Sequence, residues 1–332
     1  MSVLLEVTDL HTHFPTEEGL VRAVDGISFT VERGKTLGIL GESGCGKSVT
    51  GFSLLQLVQP PGKIVNGRIN YFVDDRDAID ITGLEPTSRH LRELRGNHIG
   101  MIFQEAMTSL DPLYSVGEQL VEAILQHRKW TKQQARAAAI TFLGKVNLPE
   151  PGQLMRRYPH QLSGGQRQRV MIAIALSCGP SLLIADEPTT ALDVTTEAQI
   201  LDLLKTLQRD LGMAMIFISH DLGVIAEVAD EVVVMYLGKI VERAPTETLF
   251  HAPKHPYTQA LLASVPTLGQ KTQGPLNAIR GMVPNPQERP SGCLFHPRCP
   301  SMKPGVCDAI EPSMTSLPDG DVRCVLYEGA PA

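Results

Sequence analysis

The spacing of apolar positions changes several times along this chain, and each change predicts an element. Residues 3–7 form a short apolar run, and residues 27–31 alternate apolar with polar, as a half-covered strand does. Arg33-Gly34 reads as a turn, after which residues 36–40 are mostly apolar, the pattern of a strand buried on both faces. Short apolar runs return at 99–103, 182–185, 213–218 and 231–236. Helical signals lie between them. Residues 49–58 form an apolar helix, and residues 167–177 form another. Thr131 and Gln134 make a capping-box pattern before the Ala-rich stretch 135–143. Ile200, Leu203, Leu204 and Leu207 have helical spacing within 196–211, closed by Gly212. Strands alternating with helices predict an α/β domain on a mainly parallel sheet. Beyond about residue 250 Pro and Gly punctuate nearly every segment. A small region with so little regular core needs a staple.

Composition narrows the class. A chain of 332 residues suggests about two domains. Its net charge of −6 excludes a whole-chain basic footprint for nucleic acid. No stretch reaches the ~18 unbroken apolar residues of a membrane span. The first residues, Met1 to Glu6, lack the build of a signal peptide, so a soluble, cytosolic chain is expected. Disulfides are not expected there. Cys45 and Cys178 stand alone and read as small residues, whereas Cys293, Cys299, Cys307 and Cys324 crowd the C-terminal end. His11 and His13 alternate on a strand and read as exposed positions rather than ligands.

The candidate chemistry begins directly after the strand at 36–40. Gly41-Glu42-Ser43-Gly44-Cys45-Gly46-Lys47-Ser48 fits the phosphate-loop pattern G-x-x-x-x-G-K-[ST]. Glycines let successive N–H groups face a phosphate, and the following helix adds its positive dipole end. Lys47 suits the β- and γ-phosphates, and the Ser48 hydroxyl suits Mg²⁺. The bland alternative, a chance Gly-rich turn, lacks the buried strand before and the apolar helix after. Leu182 to Ala185 ends in Asp186-Glu187. Asp186 suits metal coordination, and Glu187 suits polarising an attacking water; two solvated acids are the alternative. Ser163-Gly164-Gly165-Gln166 opens a helix and makes a second anion site, where a plain linker or cap is the alternative.

Taken in order, the phosphate loop, Gln104 after the strand at 99–103, Leu162 to Gln166, Asp186-Glu187 and His220 resemble the ATP-binding cassette (ABC) ATPases over residues 3–245. The resemblance implies a P-loop NTPase fold with a helical subdomain at roughly 105–175, within an ATPase domain spanning 1–250. It implies ATP and Mg²⁺ as substrate and cofactor. Phe14 takes the place of the aromatic that stacks on adenine. Ser48, Gln104 and Asp186 are then the Mg²⁺ residues, and Glu187, Gln104 and His220 the catalytic set, with His220 on the γ-phosphate. Gly41, Ser43, Gly44, Cys45, Gly46, Lys47 and Ser48 hold the phosphates. Ser163, Gly164, Gly165 and Gln166 complete the site of a facing subunit, and Asp193 communicates between the two sites.

Met107 to Pro112, Tyr158 to Leu162 and His255 to Leu262 narrow the resemblance to ATP-binding subunits of dipeptide and oligopeptide permeases, nearest the D-type dipeptide subunit. That implies an ATPase peripheral to the cytoplasmic face of the inner membrane. It also implies a second ATPase partner (a heterodimer ahead of a homodimer), two membrane permease subunits, an extracytoplasmic peptide-binding protein and no nucleic acid. Importers of nickel, glutathione or other small solutes share these motifs. A soluble non-transport ABC ATPase and a regulatory module with an inactive cassette are the readings from other classes. The four-Cys tail at 251–332 resembles that of peptide-permease ATPases carrying a [4Fe–4S] cluster. From spacing alone, an iron–sulfur cluster, zinc and no metal all stay open for Cys293, Cys299, Cys307 and Cys324.

Overall fold

The computed structural model describes residues 2–74, 77–104, 109–264 and 279–329; Met107 and Thr108 of the 107–112 motif lie outside these. Its elements begin with β1 (Val3–Thr16), β2 (Gly19–Glu32), β3 (Thr36–Leu40), α1 (Lys47–Leu54), β4 (Lys63–Phe72) and β5 (Ala78–Asp80). Then come α2 (Arg89–Asn97), β6 (Ile99–Ile102), α3 (Val116–His127), α4 (Lys132–Lys145), α5 (Pro151–Leu154), α6 (Gly164–Leu176) and β7 (Leu182–Asp186). The chain continues with α7 (Val194–Leu211), β8 (Ala214–Ser219), α8 (Leu222–Val228), β9 (Glu231–Tyr236) and β10 (Lys239–Pro245). It closes with α9 (Thr246–His251), α10 (Pro256–Ala263), β11 (Thr315–Leu317) and β12 (Gly320–Val322). These elements fall into two compact units with interleaved sequence.

The first unit holds Met1–Leu5, Val31–Thr36 and Tyr71–Ile218. Its strands β6, β7 and β8 pair in parallel, with Ile102 opposite Ala185 and Asp186 opposite Ile218. Every residue of β7 and β8 is buried, which is why both read as continuous apolar runs. Helix α6 lies close to β6. A Cβ at Gly100 would stand 2.5 Å from the Ala175 carbonyl oxygen, so only glycine admits this approach. Helices α3 and α4 each start with a complete capping box, Ser115 with Glu118 and Thr131 with Gln134, the second as the sequence pattern predicts.

The second unit holds Glu6–Thr30, Leu37–Asn70 and Ser219–Ala332. Within it, β3 pairs in parallel with β9, β9 turns back antiparallel into β10, and β12 lies antiparallel beside β10. β1 extends far beyond the run expected at 3–7. The reason is an irregularity at Asp9, which sits at φ +47 with its N–H held by Ser28 Oγ at 2.9 Å. The apolar alternation slips there while the strand continues. Helix α1 is shorter than expected, because Gln56 already turns left-handed at φ +50. The Pro-rich C-terminal stretch has little regular structure, as its punctuation predicts. Its packing centre is aromatic: Tyr236, Tyr257 and Phe295 are fully buried, with ring centroids 4.7–5.3 Å apart.

Gly100→Ala is expected to destabilise the chain by about 1–3 kcal/mol, the usual cost of forcing a methyl into a filled contact. An unchanged midpoint in urea denaturation would contradict the close approach of α6 to β6.

Candidate functional site

In the second unit, β3 delivers the chain into the loop 41–48. Gly41, Gly44 and Gly46 take φ values of +155, +79 and +104, which side-chain-bearing residues rarely adopt. Gly238 N–H donates to the Cys45 carbonyl at 2.9 Å, and Cys45 N–H donates to the Glu42 carbonyl at 3.3 Å, so the curl is tied from outside and inside. Lys47 is buried, and its Nζ donates to the Gly41 and Glu42 carbonyls at 2.7 and 3.1 Å. No side chain caps the start of α1, which leaves its first amides available to an anion. Burial pushes the Cys45 thiol up to about 11, which makes it an inert filler as its isolation in the sequence suggests. The Phe14 ring packs against Gly62, where a Cβ would meet its Cζ at 2.6 Å. His220 follows β8 on the surface, and the next residue, Asp221, caps α8 through bonds from Gly223 N–H and Val224 N–H.

In the first unit, the parallel register places the ends of β6 and β7 side by side. Gln104 and Glu187 emerge there, and Gln104 Nε2 donates to Glu187 Oε2 at 3.0 Å. Thr190 Oγ1 donates to the same oxygen at 3.0 Å. Sequence reading missed Thr190; its signal is its place three residues after Glu187. Glu187 itself holds a left-handed backbone at φ +45, with its N–H pinned to the Ile218 carbonyl at 2.9 Å. A non-glycine residue in that region is strained by about 1–3 kcal/mol, and such strain gathers at functional sites. Asp186, the last residue of β7, is 1% exposed. The carboxylate of Asp186 and the amide oxygen of Gln104 are hard oxygen donors, the kind that Mg²⁺ takes.

Ser163 and Gln166 close a capping box on α6: Gln166 N–H donates to Ser163 Oγ at 3.3 Å, and Ser163 N–H donates to Gln166 Oε1 at 3.1 Å. Ser163 and Gly164 stay exposed. Gly165 lets α6 meet α7, since a Cβ there would stand 2.8 Å from Thr196 Cγ2. Asp193 caps α7 by accepting from Thr196 N–H and Oγ1 at 3.0 and 2.8 Å. Those bonds hold its carboxyl below the usual range. The segment 163–166 and Asp193 thus share one surface of this unit.

All six cysteines are free thiols. Burial pushes Cys293 up to about 11, and Cys324, Cys299 and Cys307 add smaller contributions in the same direction. Among the described residues, the set of three candidate ligand atoms within 4.8 Å of one another is His11, His13 and Asp25, not the thiols. A single zinc needs thiolates at the corners of one small tetrahedron. The expectation of exposed histidines is corrected here: the His11 and His13 side chains are 23% and 15% exposed and converge on Asp25 Oδ1 at 3.2 and 3.6 Å. Asp25 Oδ2 takes Arg289 at 2.5 Å and Lys239 at 3.3 Å. Two fixed cations on that carboxylate disfavour a metal ion. Burial alone raises the Asp25 carboxyl, but the Arg289 hydrogen bond and the two cationic charges outweigh it and hold the group well below the usual range.

The profile of the ABC transporter family matches residues 24–190, slightly over half of the chain. The chain belongs to the ABC transporter family. A second profile, the C-terminal region of oligopeptide/dipeptide transporters, matches residues 241–307 of this ABC ATPase. The oligopeptide transport ATP-binding protein AppD of Bacillus subtilis (strain 168) is 47% identical over 330 residues, covering 99% of this chain and 98% of that protein. The dipeptide transport ATP-binding protein DppD of Escherichia coli (strain K12) is 46% identical over 317 residues, covering 96% of this chain and 94% of that protein. A dimeric, post-hydrolysis structure of the ATP-binding cassette MJ0796 bound to ADP and Pi superposes with a TM-score of 0.64 at 26% identity. It covers 73% of this chain and 99% of that one. The ABC ATPase fold expected from the motifs is therefore the fold of this chain.

Asp25→Asn is expected to cost about 3 kcal/mol at pH 7, since it takes the carboxylate from Arg289 in a nearly closed site, whereas Lys239 keeps Glu311 at 2.6 Å. The Asp25 carboxyl lies lower folded than unfolded, so its contribution is complete above the unfolded value, about 3.9, and fades as pH falls below it. The stability gap between variant and wild type should shrink below about pH 4. A gap independent of pH would contradict the ion-pair origin.

Proposed function

We propose that this ABC ATPase powers the import of dipeptides and oligopeptides across the cytoplasmic membrane. The observation that carries the reading is a peptide-transporter C-terminal region, 241–307, on the same chain as the ATPase core. No described helix is long and apolar enough to cross a membrane. The working unit is then peripheral to the cytoplasmic face, beside two permease subunits supplied by an extracytoplasmic peptide-binding protein. Its partner is a second, related ATPase, forming a heterodimer.

In this mechanism Lys47 leaves the Gly41 and Glu42 carbonyls and turns its ammonium to the β- and γ-phosphates. The amides of Gly41, Ser43, Gly44, Cys45 and Gly46 hold the phosphate oxygens, and Phe14 stacks on the adenine. Mg²⁺ when bound neutralises phosphate charge, and Ser48, Asp186 and Gln104 supply its oxygen donors. Glu187 accepts a proton from water as the oxygen–phosphorus bond forms and the β–γ bridge breaks. Gln104 and Thr190 keep its carboxylate aimed, and His220 holds a γ-phosphate oxygen. Ser163, Gly164, Gly165 and Gln166 complete the site of the facing subunit, with Asp193 beside them. Cys293, Cys299, Cys307 and Cys324 would hold a [4Fe–4S] cluster stapling the C-terminal region; four free thiols within one short Pro-rich stretch, with Cys293 N–H bonded to the Cys307 carbonyl at 2.8 Å, support the reading.

Glu187→Gln, measured in the assembled transporter, is expected to retain ATP binding and lose turnover by more than ~10²-fold. Wild-type turnover would overturn the role of Glu187. Uptake of a labelled dipeptide, competed by peptides and not by nickel or glutathione, tests the solute. Anaerobically purified chain should hold about four iron and four sulfide per molecule. Stoichiometric zinc would overturn the cluster.

A further inference from the structure

The phosphate loop carries a carboxylate, Glu42, that its chemistry does not ask for. An anion there opposes the triphosphate that the loop gathers. Glu42 is held at its carboxylate, its N–H and its carbonyl. Its carboxylate takes both ends of the Arg298 guanidinium, Nη1 to Oε2 at 2.7 Å and Nη2 to Oε1 at 3.0 Å. Its N–H donates to Tyr257 Oη at 2.9 Å, and its carbonyl accepts from Lys47 Nζ at 3.1 Å. The Arg298 side chain is only 4% exposed. Its Nε donates to the Arg280 carbonyl at 3.2 Å, and its guanidinium carbon lies 5.9 Å from the ring centres of both Tyr236 and Phe295. Tyr257 belongs to the same aromatic group. A planar fork with this many restraints has one geometry.

We infer that Arg298 is a positioning residue for ATP binding: from the C-terminal region it neutralises Glu42 and, together with Tyr257, holds the phosphate loop in its receptive curl. The inference rests on the ATP-binding reading of the loop and adds a remote residue to it. Arg298 touches no substrate atom in this scheme. It acts only through Glu42, so its loss acts chiefly by leaving a bare negative charge beside the phosphates. Arg298 stands on the short turn His296–Arg298, inside the segment between Cys293 and Cys299, so the state of that segment reaches the nucleotide through one ion pair.

Calorimetric titration of the full chain with MgATP tests this. Arg298→Ala should raise Kd about tenfold, or about 1.4 kcal/mol. The double variant Glu42→Gln with Arg298→Ala should return to within about threefold of wild type, because the uncompensated charge is gone; a role confined to packing would show no such rescue. Arg298→Lys, which keeps the charge and loses the fork, should fall between them. Tyr257→Phe keeps the ring and should weaken binding less than Arg298→Ala. Hydrogen exchange of amides 42–46 in the nucleotide-free chain should quicken in Arg298→Ala. Wild-type affinity in Arg298→Ala, no rescue by Glu42→Gln, or unchanged exchange at 42–46 would each overturn the inference. A wild-type chain that binds no MgATP would instead overturn the ATPase reading, and the exchange measurement would still decide the role of Arg298.

Discussion

A phosphate is held by backbone amides only if several of them point at one place, and no regular element arranges them so. That constraint shapes the second unit. The loop 41–48 reaches its curl through glycines in the left-handed region, each of which costs conformational entropy on ordering. The surroundings restrain what the loop leaves free. Gly238 bonds the Cys45 carbonyl, Lys47 bonds two loop carbonyls, and Tyr257 takes the Glu42 N–H. The buried strand β3 and its neighbour β9 supply the rigid floor from which the loop departs. The loop is preorganised in the sense that matters for binding, since less ordering remains when the ligand arrives.

The first unit meets a different demand. The Glu187 carboxylate is presented at a strand end and kept from rotating away by two donors, Gln104 and Thr190. A parallel register brings Gln104 to the end of β6 beside Glu187 at the end of β7. The left-handed backbone at Glu187 and the Ile218 bond turn the chain sharply after the buried Asp186. Two adjacent acids thereby take different environments, one closed in and one half-open. Such a division suits one to a metal and the other to a proton.

What could be read in the sequence was local. The strand–loop–helix grammar around 36–54, the capping boxes and the acidic strand end at 186–187 carry their meaning within a few residues. So do the punctuation after 250 and the order of motifs that marks the ABC class. The differences arise where meaning is non-local. Arg298 and Glu42 are 256 positions apart, and neither stands out alone. His11 and His13 read as exposed alternation, because Asp25, on which they converge, comes from another strand. The break at Asp9 hid the length of β1, since its cause is a left-handed residue whose N–H donates to Ser28 Oγ rather than a turn signal. Thr190 is a plain polar residue in the sequence, and its bond to Glu187 Oε2 exists only in the folded turn.

The short hairpin β11–β12 beside β10 also bears on solubility. β10 is seven residues long, and without a neighbour it would offer a ladder of open amides and carbonyls to any passing extended chain. The hairpin takes that place and ends the sheet in a strand of three residues, too brief to template another. The tail therefore guards the molecule against sticking to copies of itself.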